Sequence, residues 1–253
     1  MRPFRALTNA RVFKDRLYRE TVRLGAIRSL TPLRFLSLLF GYQSNTWNAF
    51  RLESTRMLEN AYAFTVNNNI VGDYCEFGVY QGSTFTAAWH GARRWRLHDK
   101  RLHAFDSFAG LPEVTGNDAG GAFEKGQFAA SLRTFETALQ TNGVDMGRVT
   151  ITPGTFDNTL NQETKARIQL QRVNMAFIDC DLYSSTVPVL AFLTDVLVDG
   201  ALLMFDDWHC FAGKPDRGEQ RAVGEWLAAN PTIRLHQYRD FHWAGRSFIV
   251  DRR

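Results

Sequence analysis

From Ile70 to Val250 the chain alternates short apolar runs with stretches of helical period. Runs of a few apolar residues bounded by Gly, Pro, Asn or Asp read as buried strands, and apolar residues recurring every three to four positions read as amphipathic helices. Strands are expected over Asp73–Phe77, Leu102–Phe105, Val149–Thr152, Val173–Ile178 and Ala201–Phe205. Helices are expected from the glycine turn after the first strand to about Trp95, then over Ala129–Gln140, Ser185–Leu197 and Gly218–Ala229, the last stopped by Asn230-Pro231. Two closing strands, Ile233–Tyr238 and Arg246–Val250, are joined by Arg239–Gly245, short enough for an antiparallel hairpin. This alternation predicts an α/β fold: a seven-stranded, mostly parallel sheet covered on both faces. No helix is assigned between Gly154 and Val173. The stretch Ala109–Gln127 has little periodicity and reads as a lid or binding loop.

Before Ile70 the pattern is helical. Phe50, Met57, Leu58, Ala61, Tyr62 and Phe64 form a stripe over Thr46–Val66, broken by Asn67-Asn68-Asn69. Leu17, Val22, Leu24 and Ile27 suggest an earlier helix, and Thr31-Pro32 starts another that Gly41 ends. Residues 1–69 are expected to form a helical cap on a domain spanning 70–253. At 253 residues and 45% hydrophobic the chain can bury a full core.

The net charge of +4 is uneven. Residues 1–34 carry nine Lys or Arg against Asp15 and Glu20, a net +7, which leaves −3 for the rest. This segment reads either as a basic arm for nucleic acid, a membrane surface or an acidic partner, or as the solvated face of docked helices, which could also pack in a homodimer. No basic and aromatic patch accompanies the candidate site, so no nucleic-acid partner is expected. Leu30–Phe40 is too short to span a bilayer and contains Pro32 and Arg34, and no signal peptide is evident. Cys75, Cys180 and Cys210 lie far apart, without metal-ligand spacing, and read as reduced thiols of a cytoplasmic protein.

Two apolar runs end in paired acids. Met175–Thr186 reads MAFIDCDLYSST and presents Asp179 and Asp181; Ala201–Trp208 reads ALLMFDDW and presents Asp206 and Asp207. Ligands of open α/β sheets bind beyond the carboxyl ends of strands, and the fourth and fifth strands are expected to neighbour the first. All-oxygen donors without His or Cys suit a hard cation such as Mg²⁺. The plainer alternative is that Asp181 caps a helix while Asp206 and Asp207 cap a turn. In Glu76–Thr84, EFGVYQGST, a strand feeds a turn in which Gly78 and Gly82 admit a ligand close to the backbone, at the start of a helix. This is not the dinucleotide fingerprint, and Glu76 would repel a pyrophosphate but suit an ammonium or sulfonium group. Asp106 ends the second strand, placed for two ribose hydroxyls or for a turn cap. Together these signals favour an adenosine-containing cofactor. His209 is a minor candidate base or ligand, and Tyr183 and the Asp240–Trp243 turn are candidate pocket walls.

GDYCEFGVYQGST, AFDSFAGLPE, PGTFDNTL, FIDCDLYSST and LLMFDDW, in this order and spacing, resemble the macrocin O-methyltransferase family. The likeness covers about Ile70 to Val250. It implies a class I, Rossmann-like methyltransferase fold using S-adenosylmethionine (SAM), with S-adenosylhomocysteine as product, and Mg²⁺. The implied cofactor contacts are Glu76, Phe77, Gly78, Tyr80, Gly82, Ser83, Asp106, Ser107, Phe156 and Asp179. Asp179, Asp206 and Asp207 are the implied metal ligands, Asp181 the implied general base, and Ala109–Gln127 the loop that closes over substrate. The implied acceptor is a hydroxyl of a sugar-like vicinal diol on a glycoside or natural product. Alternatives are a catechol-type phenol or a catalytically silent SAM-binding module. An alcohol's pKa lies near that of water, far above a carboxylate's, so one carboxylate cannot make the alkoxide without a cation. Without a cation the four acids should raise one another's pKa values.

Overall fold

The computed structural model describes residues 45–252. The expected helices around Leu17–Ile27 and Thr31–Gly41, and the basic segment, lie outside the described residues. The first described helix, α1, runs Asn45–Asn67. Met57, Leu58, Ala61, Tyr62 and Thr65 are buried, as one face of a 3.6-residue period requires. The Tyr62 hydroxyl donates to the Ala88 carbonyl at 2.7 Å, so this polar atom enters the core with a partner. From Phe50 onward the chain forms one compact unit.

The strands are β1 Asp73–Phe77, β2 Leu102–Asp106, β3 Val149–Pro153, β4 Val173–Ile178, β5 Leu197–Phe205, β6 Ile233–Phe241 and β7 Gly245–Arg252. They form one sheet in the order β3-β2-β1-β4-β5-β7-β6. The first five run parallel, and β7 pairs antiparallel with both β5 and β6. The other helices are α2 Ser83–Arg94, α3 Leu132–Thr141, α4 Phe156–Thr159, α5 Gln162–Ile168, α6 Tyr183–Leu193 and α7 Gly218–Ala229. Strand residues alternate between two cores. Phe77, Ala176, Ile178, Leu203 and Phe205 meet α6 and α7 on one face. Tyr74, Met175, Phe177, Leu202 and Met204 meet α1, α2 and α3 on the other. The α/β sheet of seven strands with an antiparallel C-terminal hairpin is therefore as the pattern predicts. No helix among the described residues is long and apolar enough to cross a membrane.

Four details differ from the expectation. Two short helices, α4 and α5, fill the segment left unassigned; at four and seven residues they are too short for a period to declare itself. Helix α6 ends at Leu193, and β5 begins at Leu197 because Leu197 pairs with Val173 of β4. The β6–β7 hairpin is longer than expected, and its turn shrinks to His242, Trp243 and Ala244, held by a bidentate Arg246–Asp240 pair at 2.6 and 3.2 Å. Lastly, β4 neighbours β1 but β5 stands one strand further out. The chain leaves β3 at one edge and returns beside β1, so the switch point of the sheet lies between β1 and β4.

Candidate active site

Strand register builds the site. Phe105, Phe77, Ile178 and Phe205 stand side by side across β2, β1, β4 and β5. The next residue of each strand falls in a row: Asp106, Gly78, Asp179 and Asp206. The ladder continues through this row, with Gly78 N–H donating to Phe105 O, Asp179 N–H to Phe77 O, and Asp206 N–H to Ile178 O, each at 2.9 Å. Three carboxylates and one glycine thus emerge together at the carboxyl edge.

The turn after β1 is fitted to this edge. Gly78 has φ +85, and an added Cβ would lie 1.8 Å from the Asp179 carbonyl oxygen. Gly82 has φ +80, and its Cβ would meet the Phe135 ring at 2.9 Å. Both requirements come from within the fold, and room for a ligand is not needed to explain them. Asp106 ties the turn down. Its Oδ2 accepts from the N–H groups of Val79 at 2.8 Å and Tyr80 at 3.1 Å, and its Oδ1 from Phe108 N–H at 2.7 Å. The turn-cap alternative is therefore realised. A carboxylate offers about four lone-pair positions, so one remains for a ligand hydroxyl.

The other expected cofactor residues surround this turn. Glu76 is buried with the Tyr74 hydroxyl donating to it at 2.5 Å. Burial pushes the Glu76 carboxyl well above its usual range; Asp206 and Asp106 add to this, while the Tyr74 hydrogen bond opposes it. Phe77 points into the core, stacked on Phe105 at 4.8 Å with Phe156 edge-on at 6.1 Å. Tyr80 adopts φ 44 and meets Phe128 edge-on, and Ser83 is the first residue of α2. The Ser107 hydroxyl donates to Gly110 O and accepts from Ala109 N–H, both at 3.1 Å.

Beyond the strand ends, Asp179, Asp181 and Asp207 can each present a ligand atom, all within 4.8 Å of one another. Asp206 stands beside them, its Oδ1 hydrogen-bonded to His242 Nε2 at 3.0 Å. Asp181 adopts φ 62 and does not cap α6. Asp118, from the long loop, does so instead: its carboxylate accepts from Tyr183 N–H at 2.7 Å and Ser184 N–H at 3.3 Å. Cys210 donates through Sγ to Asp207 Oδ1 at 3.2 Å, and Asp207 N–H donates to Glu219 Oε2, also at 3.2 Å.

Such crowding raises the acids. Burial, then Asp206, Asp207, Asp181 and Glu76, lift Asp179 well above the usual carboxylate range. Burial, then Asp207 and Asp206, lift Asp181. Asp207 is pushed up to about 7 by burial and Asp206. Buried Glu219 is raised by desolvation and the same aspartates. Asp207 Oδ2 is buried without a hydrogen-bond partner. An oxygen-only donor set with an orphaned carboxylate oxygen fits a hard divalent cation.

The sign of the pH effect follows. These carboxyls bind protons more tightly when folded than unfolded, so their contribution to metal-free stability is greatest below the ordinary carboxylate range and is lost as pH rises, for Asp207 by about 7. Buried Lys100, lowered to about 7 by desolvation, acts in the opposite sense above that pH. Melting of the metal-free protein should therefore occur at higher temperature at pH 5 than at pH 7, and millimolar Mg²⁺ should flatten the slope. A slope of opposite sign in EDTA would contradict the reading.

Local sequence reasoning missed Glu219, Asp118 and Cys210, which approach through tertiary packing. His242 was seen only as part of an aromatic turn. His209 does not join the carboxylate group, and the Tyr183 hydroxyl turns to Glu225 on α7 at 2.7 Å.

Compared with known proteins, residues 50–220 match the macrocin-O-methyltransferase (TylF) family. The chain belongs to this family. It is an O-methyltransferase, as the resemblance of its ordered motifs implies. Mycinamicin III 3''-O-methyltransferase of Micromonospora griseorubida is 24% identical over 77% of this chain and 71% of its own length. An 8-demethyl-8-(2,3-dimethoxy-alpha-L-rhamnosyl)-tetracenomycin-C 4'-O-methyltransferase of Streptomyces olivaceus is 28% identical over 56% of this chain, which spans about half (54%) of that relative's length. Among solved structures, the O-methyltransferase NovP superposes with TM-score 0.67 at 21% identity, covering 79% of this chain and 80% of its own. CalS11, a calicheamicin methyltransferase, superposes with TM-score 0.66 at 22% identity, covering 90% of each chain. At these identities the likeness establishes the class I methyltransferase fold.

Proposed function

We propose that this macrocin-family enzyme transfers a methyl group from SAM to one hydroxyl of a sugar-like vicinal diol on a glycoside or natural product, assisted by a divalent cation. The observation that carries the proposal is the carboxylate group just past the ends of β4 and β5, with its orphaned Asp207 Oδ2, whose Asp179 shares the edge row with Gly78 of the β1 turn. The two relatives are named for O-methylation of mycinamicin III and of a rhamnosyl-tetracenomycin C, which supports a glycosidic acceptor.

SAM supplies an electrophilic sulfonium methyl; in-line attack by the hydroxyl oxygen forms the O–CH₃ bond and releases S-adenosylhomocysteine. Mg²⁺ held by these carboxylates would supply Lewis-acid chemistry, lowering the acceptor's pKa and fixing its oxygen. Asp179, Asp206 and Asp207 are the proposed ligands. Asp181, on its left-handed turn past the strand, takes the acceptor's proton. Asp106 would hold the cofactor ribose with its remaining lone pair, and Glu76 would face the methionine end. Phe77 and Phe156 would contact the cofactor from the core side, and Tyr80, Ser83 and Ser107 from the neighbouring turns. A second assignment is favoured by the grouping itself: Asp181 lies within 4.8 Å of Asp179 and Asp207 and could join the ligand set. Residues 70–253 would be the transferase domain and 1–69 a helical cap. The unpaired state of all three cysteines accords with a cytoplasmic enzyme.

The test is SAM consumption over a panel of glycosides and catechols, with Mg²⁺ and with EDTA. Turnover is expected on vicinal-diol glycosides, lost in EDTA and restored by Mg²⁺. Full activity in EDTA rejects the cation, and turnover on catechols alone rejects the sugar acceptor. Asp181→Asn separates the two assignments: a base leaves Mn²⁺ affinity intact while turnover falls, whereas a ligand loses both.

A further inference from the structure

The β6–β7 hairpin reaches the carboxylate group through one side chain. His242 opens the turn with φ 40, and its side chain is 3% exposed. The ring lies between Phe50 and Phe241, with centroids at 4.6 and 4.7 Å. It also rests against Gly245, where an added Cβ would come within 2.9 Å of Cε1. Nδ1 accepts from the N–H groups of Ala244 and Gly245, both at 3.1 Å. Two donors aimed at Nδ1 leave it no place for a proton, so the ring carries its hydrogen on Nε2. Nε2 therefore donates to Asp206 Oδ1, at 3.0 Å.

We propose that His242 is a positioning residue for the cation site: its Nε2–H fixes the Asp206 carboxylate and leaves Oδ2 for a divalent ion. The inference rests on the reading that Asp206 is a cation ligand. The hairpin's own needs are met at Nδ1, which caps two turn amides. Nε2–H is instead directed to Asp206, just past the end of β5 and 36 residues away in sequence. Beside Asp179 and Asp207, an unrestrained carboxylate would rotate away from like charge. A donor that holds it in place removes that freedom before the ion arrives. Hydrogen-bond partners of metal ligands orient them, and their loss typically costs about 10–100-fold in metal affinity.

The test is Mn²⁺ titration of the cofactor-free protein, followed by electron paramagnetic resonance, with thermal melts alongside. His242→Asn keeps an acceptor near the Nδ1 position and suits the left-handed backbone, but has nothing at Nε2. Its Mn²⁺ affinity should fall about 10–100-fold, with the melting temperature close to wild type. His242→Gln can place an amide N–H near the Nε2 position and should bind within about threefold of wild type. In an Asp206→Asn background, His242→Asn should have no additional effect on affinity. Wild-type affinity in His242→Asn, or an equal loss in both backgrounds, overturns the positioning role while the cation reading stands. Failure of the wild-type protein to bind Mn²⁺ at all overturns both.

Discussion

Asp179→Asn should slow turnover by at least about 10³-fold while raising the melting temperature of the metal-free protein. Asp179 feels every acid around it: Asp206, Asp207, Asp181 and Glu76 all push its carboxyl upward, on top of its burial. Asparagine keeps the shape and removes the charge. Near pH 7.5 one unit of relieved pKa is worth about 1.4 kcal/mol, or roughly 2–4 °C of melting temperature per kcal/mol in a chain of this size. The same change removes an anionic ligand, and a loss of about 4 kcal/mol of transition-state stabilisation corresponds to the expected 10³-fold. Added Mg²⁺ should raise the melting temperature of the wild type and not of the variant. Opposite movement of activity and stability distinguishes a lost site from a damaged fold. A lower metal-free melting temperature, or turnover within tenfold of wild type, would remove Asp179 from the role proposed for it.

How far such a site can be read from sequence depends on where its parts lie along the chain. Strands β1 and β4 and helix α7 begin and end at the expected residues because Gly, Pro, Asn and Asp punctuate their ends. The α6–β5 boundary shifts because Val196-Leu197-Val198 continues an apolar pattern that suits helix and strand alike, and only pairing with β4 decides it. Asp179, Asp206 and Asp106 were legible because each directly follows an apolar run. Their unequal circumstances were not. That Asp206 is engaged by His242, that Asp118 takes over the capping of α6, and that Glu219 buries a further carboxylate beside Asp207 all arise from partners remote in sequence. Nor does local sequence show why Gly78 is glycine: the Asp179 carbonyl just past β4 lies against it, a contact between segments about a hundred residues apart.

Asp106→Ala should weaken SAM and S-adenosylhomocysteine binding by at least about 100-fold and lower the melting temperature as well, the reverse of the Asp179 signature. Three backbone N–H groups, those of Val79, Tyr80 and Phe108, lose their acceptor at once. Part of this loss is recovered by water at a half-buried position, so about 2–3 kcal/mol of stability is at stake, or roughly 5–10 °C. The affinity loss has two parts. A charge-assisted hydrogen bond to a ribose hydroxyl contributes about 1.5–3 kcal/mol, a factor of roughly 10 to 150. The turn that it ties down also carries Gly78 and leads into α2, so its release would misplace the neighbouring contacts. Asp106→Asn separates the parts. Its carbonyl oxygen can still accept from Val79 and Tyr80, while its amide nitrogen faces the Phe108 N–H, donor against donor. It should melt between wild type and Asp106→Ala, and its cofactor affinity should fall with the charge. Calorimetric titration with S-adenosylhomocysteine measures both variants. Wild-type affinity in Asp106→Ala would confine this carboxylate to the turn-capping role and move the ribose elsewhere on the edge.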